Sequence, residues 1–148
     1  MSPPKLKGIY QDLKGKSTEE IEEIIADNER FIVFRLSKFG EKALHLYAGL
    51  AYAMIGADFK VRPEEFSIVK PIMDAVFNID STIEIAEEMI LKNGFTEKEL
   101  RESMREALFG IGGTDPELRD RIVLVLICIA AIDGDICRRE RAFIESLF

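Results

Sequence analysis

Ile122-Val123-Leu124-Val125-Leu126-Ile127-Cys128-Ile129-Ala130-Ala131-Ile132-Asp133-Gly134-Asp135-Ile136-Cys137-Arg138-Arg139-Glu140 is an apolar run that stops on an acidic turn and restarts as a charged segment. The run from Ile122 to Ile132 is about half the ~20 residues that a membrane-spanning helix needs, and Arg121 and Asp133 flank it. It therefore reads as a helix buried inside a water-surrounded fold. Asp115-Pro116 just upstream supplies an N-cap and a proline at the first helical position, which places that helix at about 116–132. A last helix follows from about 138 to 148.

Outward from this stretch the signals are helical. Ser17-Thr18-Glu19-Glu20 is a capping box that opens a helix to about Lys38, with Gly40 as its stop. Ile21, Ile24, Ile25, Phe31, Val33, Phe34 and Leu36 give that helix an uneven apolar face. A second helix is expected over about 41–57. A third starts at Pro63, and Pro71 inside it predicts a kink or an early end. Ser81-Thr82-Ile83-Glu84 reads as another capping box, opening a helix that ends near Asn93-Gly94. Thr96 opens the next, to about Phe109. Gly110-Ile111-Gly112-Gly113-Thr114 lacks the lysine of a phosphate loop and follows no strand, so it reads as a connection between helices. The sum is an all-α bundle of about seven helices. Residues 1–16, with Lys5, Lys7, Lys14 and Lys16, read as a solvated tail. Phe31, Phe34, Phe39, Phe66 and Phe77 recur on helical faces and are assigned to the core, with a partner groove or a homodimer face as the alternative.

Composition narrows the function classes. The chain has 148 residues, 47% hydrophobic and 32% charged, which suits one domain with its own core. The net charge of −7 disfavours nucleic acid as the partner, because phosphate neutralisation needs clustered Lys and Arg. Contact with a membrane is expected only through a partner. The start, Met1-Ser2-Pro3-Pro4-Lys5-Leu6-Lys7-Gly8, lacks the apolar core of a signal peptide. Cys128 and Cys137 match no zinc or redox spacing, so two free thiols in a reducing cytoplasm are expected.

The stretch quoted first is used twice. With an offset of 75 residues, Tyr47 to Val69 aligns with Ile122 to Ile144. Asp58 falls on Asp133, Val61 on Ile136, Glu65 on Glu140 and Val69 on Ile144. Each unit is an apolar helix, an Asp, a β-branched residue three positions on, and a Glu four positions after that, inside a new helix. Glu65 and Glu140 fall at the third helical position, where a carboxylate meets the positive end of the helix dipole. Helix capping accounts for those two. It does not account for Asp58 and Asp133, which follow helix C-terminal ends, where the dipole is negative. A cation or a basic partner would resolve that mismatch. The second unit also matches the back half of a calcium EF-hand loop. The two earlier ligand positions would be Ile129 and Ala131, which carry no side-chain oxygen, so a complete EF-hand is excluded.

The pair Ala57-Asp58-x-x-Val61-x-Pro63-Glu64-Glu65 and Ala131-Ile132-Asp133-Gly134-Asp135-Ile136-x-x-x-Glu140 resembles the duplicated signature of the tellurite-resistance TerB family, which includes TerB-like domains of DnaJ-type co-chaperones. The resemblance covers roughly residues 40–148. It implies a helical fold of about seven helices with an internal pseudo-two-fold repeat. It further implies a non-enzymatic module for protein interaction in stress or tellurite-resistance systems. Cation sites for calcium or magnesium would be Asp133, Asp135 and Glu140 in the second turn, and Asp58 and Glu65 in the first. The first turn has Phe59-Lys60 in place of the family's Gly-acid pair, and Arg138-Arg139 stand where acidic residues are frequent in the second. The second turn, which keeps Gly134 and Asp135, is therefore the expected functional copy and the first a scaffold copy. The competing class is an enzyme with paired carboxylates, such as a metal-dependent hydrolase. A single histidine, His45, and no Glu-x-x-His pair leave it little material.

Overall fold

The computed structural model describes residues 3–55, 62–92, 97–132, 136 and 138–146. Among them every regular element is a helix: α1 (Pro3–Lys14), α2 (Thr18–Ser37), α3 (Glu41–Ile55), α4 (Pro63–Phe77), α5 (Ile83–Lys92), α6 (Glu97–Thr114), α7 (Pro116–Ala131) and α8 (Arg138–Ser146). The expected bundle is thus the fold, and its seven expected helices are α2 to α8.

The apolar run forms α7, and α7 is the axis of the bundle. Ten of its sixteen residues are buried, on all sides of the helix. It packs against α1, α2, α3, α4, α6 and α8. No helix among the described residues is long and apolar enough to cross a membrane. Asp115 caps α7 as read from the sequence, its carboxylate accepting the Leu118 amide at 3.1 Å, with Pro116 at the first helical position.

Helix α2 lies along α7 and resolves the uneven apolar face. Its buried positions are Ile21, Ile25, Asn28, Ile32 and Leu36, spaced four, three, four and four residues apart. One polar residue thus occupies a seam position, and Phe34 points outward. The capping box at its start is formed as expected, with Ser17 accepting from the Glu20 amide and Glu20 reaching back to the Ser17 amide. After the helix ends, Gly40 takes a φ of 93°, the left-handed region that favours glycine.

Several expectations are corrected. The segment expected as a tail holds helix α1. Leu6, Tyr10 and Leu13 recur at one-turn spacing and are buried in the common core, which overrides the lysines on the opposite, exposed side. The glycine-rich connection is instead the last turn of α6. Ile111 packs on the core, the Thr114 hydroxyl donates to the Gly110 carbonyl, and the Asp115 amide donates to the Ile111 carbonyl at 2.7 Å. Pro71 does not end α4, which continues to Phe77. Pro71 and Ser67, whose carbonyl loses its amide partner, are both exposed, so water can take the missing bond. Thr82, not Ser81, caps α5, accepting the Ile85 amide at 3.2 Å. Ser81 faces the other way: its amide and hydroxyl both donate to Asp74, at 2.9 and 2.7 Å. Lys70 completes that junction by donating to Asp74, Asp80 and the Ser81 carbonyl, each at 2.7 Å. Lys70 and the two Ser81 donors hold the Asp74 carboxyl down at about 2.

The aromatic assignment divides. Phe66 is buried and Phe31 half-buried, whereas Phe34 and Phe39 are 63% and 56% exposed. The side chain of Phe77 lies outside the described residues, as does the Asn93-Gly94 stop.

The repeat has a structural counterpart. The offset of 75 carries Glu41, the first residue of α3, to Pro116, the first of α7, and Pro63, the first of α4, to Arg138, the first of α8. Six counterpart pairs are buried in both units, whereas Phe66 is buried and its counterpart Arg141 exposed. Tyr47 and Ile122, Ala48 and Val123, Ala51 and Leu126, Met54 and Ile129, Ile55 and Ala130, and Val69 and Ile144 are all core residues.

Candidate functional site

Of the five acidic residues expected at the two turns, Asp58, Asp133 and Asp135 lie outside the described residues, as does Cys137. Glu65 and Glu140 are the third residues of α4 and α8. Glu65 is only 2% exposed, beside the buried Phe66. It sits in the first turn of α4, at the positive end of the helix dipole. The N-cap of α4 is Arg62, with extended backbone and no side-chain capping bond. A carboxylate this deeply enclosed is packed into the body of the bundle. Among the described residues, no three His, Cys, Asp or Glu side chains come together as a metal cluster.

The second turn is bracketed by Ile132 and Ile136. Ile132 is buried, and Ile136, the β-branched residue three positions after Asp133, packs on the core. A small cavity of about 30 Å³ lies here, lined by Leu13, Ile21, Ala131 and Ile136 together with Lys14, Lys16 and Arg141. The volume suits one or two waters. The junction of α1 and α2 thus brings two lysines, and α8 an arginine, to the cavity that Ala131 and Ile136 line. Arg141 also stacks over the Tyr10 ring, 4.8 Å from its centroid. The Tyr10 hydroxyl is buried without a hydrogen-bond partner among the described residues. Burial and the nearby Glu145 push it up to about 12, against the pull of Arg141.

Two further polar constellations escaped the sequence reading. In the first, the Arg121 guanidinium donates to the Asn28 side-chain carbonyl at 3.0 Å, and the Asn28 amide donates to the Ile24 carbonyl at 2.8 Å. Arg121 and Arg35 share the Phe31 ring, 4.6 and 4.7 Å from its centroid. Arg35 in turn donates to Asp115 at 2.8 Å, while Glu117 lies within ion-pair reach of both arginines. This ladder ties α2 to the start of α7. Its one sequence signal is Asn28 in an otherwise apolar seam.

In the second, the hydroxyl of the fully buried Tyr47 donates to Glu29 at 2.9 Å. Burial raises the Glu29 carboxyl above its ordinary range, and the Tyr47 bond offsets part of that. Burial, then the neighbouring Glu29 charge, raises the Tyr47 phenol strongly. The folded state thus holds the Glu29 proton more tightly than the unfolded chain does. The ionised form costs stability at neutral pH, and that cost fades as pH falls through the raised value. Glu29→Gln keeps the acceptor for Tyr47 and removes the charge. The variant is expected to melt above the parent at pH 7, with the gap closing toward pH 4. Thermal melts across that range check it, and a lower melting temperature at pH 7 would show that the charge is wanted.

Cys128 is buried, and burial pushes its thiol up to about 12, so it stays protonated and packs as a small apolar group. His45 is exposed on α3. No family model, no curated protein and no solved structure matches this chain.

Proposed function

We propose that this chain is a non-enzymatic, TerB-like helical module, a protein-interaction domain of a stress or tellurite-resistance system, whose second acidic turn takes a divalent cation. The observation that carries the reading is the duplicated unit: α3–α4 and α7–α8 start in the same register and share six buried positions. Two helix pairs around one core share a register, and each carries in sequence an Asp after its first helix and a Glu in the first turn of its second. The burial of Glu65 supports a scaffold role for the first turn. In the second turn Asp133 follows the C-terminal end of α7, where the helix dipole gains nothing from a negative charge. Asp133, Asp135 and Glu140 are the residues that would hold calcium or magnesium. Three carboxylates without further oxygen ligands from the side chains at 129 and 131 would make a weak site, suited to modulating a protein contact.

A metal-dependent hydrolase with paired carboxylates is the competing class. It needs a ligand set drawn from several helices, and a sequence with one histidine offers few imidazole ligands. Added calcium or magnesium is expected to raise the melting temperature of the parent protein and to leave an Asp133→Ala variant unchanged. Ligand-linked stabilisation grows with the ratio of free cation to Kd, so millimolar concentrations are the useful range. No shift in the parent would end the cation part of the reading. A pull-down with and without calcium then tests whether the cation governs a protein contact.

A further inference from the structure

We draw no further inference here: the strongest candidate, the apolar groove between α2, α3, α6 and α7 lined by Leu36, Phe39, Ala107, Ile111 and Leu118, is an unpartnered face, and nothing in the structure shows what covers it.

Discussion

Leu126→Ala is expected to destabilise the protein by about 2–5 kcal/mol, the range for truncating a large aliphatic side chain in a packed core. Leu126 has no exposed surface and sits in the middle of α7, the helix that six others pack against. Several walls would have to move together to fill the void, so little relaxation is available and the upper half of the range applies. Set against a total stability of about 5–15 kcal/mol, one such change removes a large share. Leu124, two residues away, is only partly buried. Leu124→Ala is expected to cost clearly less, about 1–2 kcal/mol. Urea unfolding of both variants makes the comparison, and equal losses would contradict the central position of α7.

Asp115→Ala is expected to cost about 2 kcal/mol by the same measurement. One carboxylate oxygen caps α7 through the Leu118 amide at 3.1 Å, and the other accepts from Arg35 at 2.8 Å. A lost cap costs ~1 kcal/mol. The charged bond to a partly exposed arginine adds up to ~1 kcal/mol. Asp115→Asn keeps a capping oxygen and loses the charge, so it is expected to lie about midway. An Asn variant as costly as the Ala variant would place the whole effect in the link to α2. A loss below ~0.5 kcal/mol for Ala would remove the cap from the account of α7.

The helices were legible because their signals are local. The Ser17 box, the Asp115-Pro116 start and the Gly40 stop each depend on residues within one turn, and each is found in place. The repeat was legible because it is a comparison of the chain with itself. What the sequence hid is tertiary. Ser81 has the form of a capping residue, but its donors are taken by Asp74 across the α4–α5 turn. The α1 segment is rich in lysine, and only the spacing of Leu6, Tyr10 and Leu13 betrays its buried side. The glycines at the end of α6 oppose a helix by propensity, and Ile111, packed on the core, overrides them. Phe34 differs from Phe66 only in which way its helical face turns, which no local rule sets, and Phe39 falls in the turn after α2. The Arg35–Phe31–Arg121 ladder joins residues far apart in the chain, so no short pattern announces it. For the acidic turns, the frame was legible in the matched register of α3–α4 and α7–α8, and Glu65 proves to be enclosed.

The proposed cation belongs to the second turn alone, although α3–α4 and α7–α8 share a register. A calcium titration followed residue by residue in ¹H–¹⁵N spectra tests it most directly. Saturable shifts at amides 132–141, with amides 57–66 unmoved, are the expected result. Silence at both turns, or equal shifts at both, would contradict it.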